Sequence, residues 1–387
     1  MGPFAALRVT GLTLAIIPLL TGATRPLDAE IPYFARKYRV ACAQCHVAPP
    51  KLNAFGEAFF ANGYAMPELR TTGTWPFALW VSGRSDSRPQ GAGEDDVRAY
   101  LNRIELISGG RVVAPWLSYF VEWRPLSKEG RSDGTLRDRS GRFEDLFVTA
   151  TAGQFDLTVG QFRQIAQVDV SRRIGVNEPL VLSTSLPGAG VGSAREVSLR
   201  AFSPAGRSPS VRLGWSRPVL GDARWSTALA LPFPGEFSIP LTSAAKTEAS
   251  NEFEVNPKGV VLESFIRRGL TSAGAHFFVD ADRYLAQAVA TGARGQLHWT
   301  AVAGVARSRG VTRGRWSVEG EYFPRLLGGH LGVGGRAEDQ GGDALEHAFV
   351  PYLNAHFPGT QYTIRLTLER RIQRGLGATF IELGTVF

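Results

Sequence analysis

The strongest constraint on this chain is a two-residue alternation that recurs in segments of roughly ten residues from about Phe77 to the C-terminus. Trp316, Val318, Gly320 and Tyr322 share one side of such a segment, and Ser317, Glu319 and Glu321 share the other. In another, Tyr362, Ile364, Leu366 and Leu368 oppose Thr363, Arg365, Thr367 and Glu369. Val211, Leu213 and Trp215 repeat the pattern, as do Phe155, Leu157 and Val159. Successive side chains of a strand point to opposite faces. Each segment therefore predicts a strand with an aliphatic and aromatic face and a face of acids, arginines and hydroxyls. Such strands suit a cylinder with a wet lumen inside lipid. A soluble sandwich also alternates and is the competing architecture.

Two details favour the cylinder. The last segment, 381–387, ends on Phe387, similar to the aromatic ending by which bacterial barrel proteins are recognised for insertion. Connections also alternate between short and long, as turns and outer loops of such barrels do. Counting back from Phe387 gives roughly seventeen candidate strands, one of them at 194–204; bacterial single-chain barrels take even numbers, so about sixteen are expected. The same parity predicts long outer loops at Gly235–Pro257, Ile165–Gly192 and Pro125–Gly141. The expected fold class is therefore all-β, a transmembrane antiparallel barrel over residues 76–387, behind a small N-terminal helical segment over 30–75.

Composition agrees. With 44 glycines, a tenth of its residues aromatic and 20% charged, and a mean hydropathy of −0.07, the chain matches neither a helical membrane protein nor a disordered one. The formal charge is +8, but the arginines are scattered and form no single patch, which argues against nucleic acid. Residues 1–29 read as an export signal: Arg8 supplies a positive start, and Val9–Leu20 is an apolar run too short to span a bilayer, which takes about 20 residues. Cleavage fits at Thr21-Gly22-Ala23 or after Ala29; an uncleaved anchor helix is the alternative. No second apolar run approaches the ~18 residues of a transmembrane helix, so the expected location is the bacterial outer membrane.

The two cysteines of the chain sit in Ala41-Cys42-Ala43-Gln44-Cys45-His46, the attachment pattern of c-type haem. Two thiols must reach two vinyl groups of one porphyrin, and the next residue must offer an imidazole to the iron. One covalent haem c on Cys42 and Cys45, with His46 as proximal ligand, is the expected cofactor. A redox disulfide would call for a βαβ context, and half of a zinc site would call for further ligands before His276. A structural disulfide here would close too small a loop to stabilise much. Met66, in Asn62-Gly63-Tyr64-Ala65-Met66-Pro67, is the candidate sixth ligand, with a packing role as its alternative. His276, His298, His330, His347 and His356 are further inward-reaching candidates. Leu52, Phe55 and Phe59 recur at helical spacing and predict a short helix packed on the haem.

These residues carry a family likeness. Pro32-Tyr33-Phe34-Ala35-Arg36, the Cys42–His46 motif, Pro50-Lys51-Leu52-Asn53-Ala54-Phe55-Gly56 and Asn62-Gly63-Tyr64 resemble the fused monohaem cytochrome–porins of bacterial outer membranes. Weaker echoes are Val159-Gly160-Gln161-Phe162 and Pro257-Lys258-Gly259-Val260. Studied members are Fe(II) oxidases of iron-oxidising bacteria. The resemblance implies an electron path from an extracellular donor through one haem to a periplasmic carrier such as a soluble cytochrome. It carries Cys42, Cys45 and His46 over as haem attachment and proximal ligand. It does not carry over the donor, Fe(II) or another, so whether the chain is an Fe(II) oxidase stays open; Glu94, Asp95 and Asp96 in the first expected outer loop suggest a cation site or simply a solvated loop. A barrel's apolar band is about 25 Å tall, so a haem serving both faces is expected to plug or cap the lumen. Two other functions compete: a diffusion porin whose haem is structural or sensory, and a periplasmic haem enzyme such as a peroxidase.

Overall fold

The computed structural model describes residues 33–64, 66, 76–90, 94–112, 114–130, 136–163, 174–175, 207–219, 221–233, 237–242, 244, 259–280, 283–308, 311–324, 331–339, 341, 347–358, 363–373 and 376–386. The expected signal peptide and the candidate strand at 194–204 lie outside them. None of the described helices is long and apolar enough to cross a membrane.

The chain begins with helix α1 (Tyr33–Tyr38), a single 3-10 turn at Cys42–Gln44, a two-stranded ladder of β1 (His46–Ala48) and β2 (Lys51–Leu52), and helix α2 (Ala54–Ala61). Antiparallel strands follow: β3 (Ala78–Gln90), β4 (Glu94–Arg111), β5 (Leu117–Gly130), β6 (Leu136–Asp138), β7 (Arg142–Ala152), β8 (Phe155–Arg163), β9 (Arg207–Pro218) and β10 (Arg224–Pro232). The second half adds β11 (Val260–Arg268), β12 (Thr271–Val279), β13 (Arg283–Arg294), β14 (Leu297–Ser308) and β15 (Val311–Tyr322). The chain closes with β16 (Leu331–Asp339), β17 (His347–Pro358), β18 (Thr363–Gln373) and β19 (Leu376–Val386). Last and first strands pair, Val386 opposite Trp80, so the sheet is a closed barrel. Short β6 borders only the far end of β5, which pairs past it with β7, leaving sixteen staves.

The alternation holds in the parity read from sequence. Val318 and Trp316 are 52% and 42% exposed, whereas Ser317, Glu319 and Glu321 are 3–4% exposed. Phe155, Leu157, Val159 and Leu213 likewise lie on the exposed side, and Thr363, Arg365, Thr367 and Glu369 are buried on the inner one. At one end of the barrel the turns are tight. Gly269 and Gly295 take the left-handed conformation there, φ 56° and 61°, which spares the strain another residue would meet. Both chain ends of the barrel lie at this end.

Two expectations are corrected. β8 pairs directly with β9, Val159 opposite Val211, so the ring closes with no strand between them. Pro125–Gly141 is not a simple loop, because β5 continues to Gly130. The register slips between Ile104 and Leu106, setting Arg124 and Pro125 against the single residue Glu105. Such a bulge is where a strand tolerates a proline.

Candidate functional site

The motif turn is held by one asparagine. Asn53 Nδ2 donates to the carbonyls of Ala43 and Gln44, both at 3.1 Å, while its Oδ1 accepts from the Gly56 amide at 2.9 Å and caps α2. Its own amide donates to the Cys45 carbonyl at 2.9 Å. Gly56 is required at the next point of contact: a Cβ there would stand 2.1 Å from the Cys45 carbonyl oxygen. The helix therefore starts at Ala54, and Leu52 lies before its cap, in β2. Phe59 is buried but Phe55 is 40% exposed, so Leu52, Phe55 and Phe59 do not form the single packed helical face expected.

The donor set fits a covalent haem. Cys42 and Cys45 are free thiols. Burial and the neighbouring Cys42 push the Cys45 thiol up, the opposite of the lowered value a reactive redox cysteine needs. His46 Nδ1 lies 3.2 Å from the Pro50 carbonyl oxygen. A proton held on Nδ1 would leave Nε2 able to bind a metal, the usual arrangement of metal-bound histidines. Burial pushes the His46 imidazole down, against backbone hydrogen bonds to Pro50 and Lys51, and so favours its neutral form.

The segment meets the inner wall at several points of the ring. Cys42 Sγ is 3.7 Å from Thr363 Oγ1 at the start of β18. Lys51 is ion-paired with Glu321 near the end of β15, and Glu57 with Arg267 near the end of β11. Ala48 packs in one cluster with Phe323, Tyr352 and Ile174, and Val47 lies against it. Arg36 donates to the Phe77 carbonyl at 2.6 Å, and Arg111 donates to Asn62 at 2.9 Å. Tyr64, at φ 59°, is stacked between Phe34 and Phe120, with ring centroids 5.4 and 4.7 Å away. Tyr33 is pushed up to about 12 by burial and by Tyr119 on β5. These wall positions lie towards the tight-turn end.

The remaining candidates fall elsewhere. Met66 packs beside Tyr38, Phe59 and Tyr64. His276 bonds Gln287 at 2.9 Å, and His298 meets Phe323 edge-on at 5.0 Å between centroids. His347 faces Asp339 at the opposite end of the barrel, His356 is buried on β17, and His330 is not among the described residues. Glu94, Asp95 and Asp96 are in no loop: their backbones pair with Gln90, Pro89 and Arg88 in an extended β3–β4 hairpin. Among the described residues no group of three or more His, Cys, Asp or Glu could hold a metal ion. The sequence reading missed Asn53, Thr363 and the Lys51–Glu321 pair as parts of the site. Asn53 was findable, as a capping residue before an apolar helical run.

Comparison with protein-family models gives no match, and neither does comparison with curated proteins. Among solved structures, Pseudomonas putida OprB at high pH is similar with a TM-score of 0.49 and 11% identity, covering 86% of this chain and 96% of that one. The low-pH structure of the same protein gives 0.43 and 11%, covering 86% and 95%. A Rhodopseudomonas blastica porin triple mutant gives 0.43 and 11%, covering 80% and 99%. At this level of likeness the fold rests on the strand order itself.

Proposed function

We propose that this chain is an outer-membrane barrel whose N-terminal segment carries one covalent haem c and passes electrons from an extracellular donor to a periplasmic carrier. The observation that carries the reading is a Cys-x-x-Cys-His turn, with free thiols and an imidazole oriented through Nδ1, held against the inner wall of a closed barrel. The barrel's outer face supports the membrane placement. Leu213, Ile266, Val318 and Phe349, on four different strands, are each about half exposed, and large apolar side chains turned outward in this way suit contact with lipid.

The haem, when bound, supplies one-electron exchange. The residues around it supply position. Cys42 and Cys45 would fix it in a compartment where a free cofactor diffuses away, and Pro50 orients His46. Lys51, Glu57 and Arg36 tie the segment into the lumen, so that it acts as a plug near the tight-turn, periplasmic end. Fe(II) is one donor to test, and the acceptor side is open to a soluble cytochrome.

A second reading rests on the barrel alone. Sixteen staves with charged inner side chains also make a passive diffusion channel, the haem then being structural or sensory. Mass spectrometry and haem staining of the mature protein test the first reading: one haem mass is expected on wild type and loss of covalent haem from the Cys42→Ala, Cys45→Ala double variant. An unmodified pair of sulfurs in wild type sinks it. Haem reduction by a membrane-impermeant donor on whole cells supports the conduit, and single-channel conductance without haem reduction supports the channel.

A further inference from the structure

We infer that His356 is the sixth ligand of the haem iron, supplied by the barrel wall and not by the haem-bearing segment. The inference rests on the haem reading above and goes beyond it. His356 lies on β17 directly opposite Arg365 of β18, and Phe357, next in sequence, is 49% exposed on the outer face. His356 itself is 3% exposed, so its imidazole is on the inner face. Thr363 shares that face two residues from Arg365, and diagonal neighbours across paired strands stand within about 7–8 Å. Thr363 is the wall residue that touches Cys42 Sγ, one of the two sulfurs to which the porphyrin edge would be joined.

The other candidates are directed elsewhere. Met66 packs with Tyr38, Phe59 and Tyr64. His298 is opposite Glu321, the partner of Lys51, and its ring is taken up edge-on by Phe323. His276 is bonded to Gln287 across β12 and β13. Of the described histidines of the wall, His356 is the one whose cross-strand neighbourhood reaches a motif cysteine. An imidazole in the sixth position would also set a lower potential than a methionine would.

The test is ligation spectroscopy on the full-length protein in detergent. Wild type is expected to show a low-spin ferric haem with the near-infrared charge-transfer band and electron spin resonance of two imidazoles. His356→Ala is expected to lose the low-spin signal and to regain it on adding imidazole, while Met66→Leu and His298→Ala keep it. His356→Met, which retains a ligand, is expected to convert the spectrum to a histidine–methionine type and serves where the alanine variant fails to fold. A histidine–methionine spectrum in wild type, or loss of the low-spin form in Met66→Leu or His298→Ala instead, overturns the inference. Absence of covalent haem in wild type, read by pyridine haemochrome, sinks the parent reading separately.

Discussion

The two halves of the barrel's inner wall differ: one carries an apolar row beside buried polar Glu263, Ser272, His276 and Gln287, and the other is dense in ion pairs. From β10 to β14 a row runs straight across five strands, Ala230, Val261, Phe278, Leu285 and Ala306, all at most 2% exposed. The register of β12 and β13 sets Phe278 opposite Leu285 and Val279 opposite Tyr284. From β15 round to β7 the same face carries ions. Arg336 stands 3.6 Å from Glu319 and 3.4 Å from Glu338, Arg365 is 3.0 Å from Glu382, and Arg124 is 2.8 Å from Glu144. The N-terminal segment is anchored mainly on the ionic half, through Lys51, Cys42 and Arg36, and reaches the apolar half's strands through Glu57. A charged wall can hold a polar, turn-rich segment by directional bonds. An apolar wall can hold only what fits its shape.

The largest effect expected from this contrast is at Glu321. Its carboxylate serves Lys51, the Ile174 amide at 2.7 Å and the Tyr352 hydroxyl at 3.3 Å. Glu321→Ala takes the carboxylate away from a buried ammonium, a loss of about 4 kcal/mol, equivalent to roughly a thousandfold in the docking equilibrium. Hydrogen exchange over residues 33–64 should accelerate by up to that factor while heat-modifiable gel mobility still reports an intact barrel. Adding Lys51→Met to Glu321→Leu removes both charges, and about half of the loss should return. About 2 kcal/mol should remain missing, because the Ile174 N–H still lacks its acceptor. If the double variant were as loose as the single one, the ion pair would not be what docks the segment.

The converse perturbation is in the apolar half. Leu285 is 0% exposed between Phe278 and Ala306. Leu285→Ala is expected to lower barrel stability by about 3 kcal/mol through lost contacts and a residual cavity. Denaturant titration of the gel shift measures this. Exchange protection of residues 33–64 should stay unchanged, and a parallel loss there would show that the halves do not act separately.

The two halves differ too in how far the sequence discloses them. Alternation fixes parity, because a period of two leaves each residue only one of two faces, and the 316–322 segment obeys it residue by residue. The apolar row breaks the polar-in, apolar-out rule: Phe277 points out at 38% exposure and Phe278 points in at 0%, so the end of β12 is apolar on both faces. Proline obscured the extent of β5, since Pro125 resembles a turn residue until the bulge opposite Glu105 is seen. The motif named the cysteines and His46 by spacing alone. Its supports were out of reach because they depend on contacts between residues far apart, Lys51 with Glu321 and Cys42 with Thr363, which no local period encodes. Met66 is a candidate by chemistry and distance along the chain, neither of which reports that Tyr38, Phe59 and Tyr64 pack beside it.

The smallest predicted effect concerns the clasp that gives the motif its shape before any wall contact is made. Asn53→Ala removes the cap of α2, a loss of about 1 kcal/mol, and with it two donations to the Ala43 and Gln44 carbonyls. Exchange at the Gly56 amide should quicken roughly fivefold, the equivalent of that energy. Asn53→Asp separates the two functions. Its carboxylate can still accept from Gly56 but has no N–H for the carbonyls, so the helix start should stay protected while the Cys42–Cys45 turn loosens. Because that turn holds both sulfurs in place, the aspartate variant should show a lower yield of covalent haem with an unaltered helix. Equal yield from both variants and wild type would mean that the cysteine spacing suffices for attachment, and that Asn53 serves stability alone.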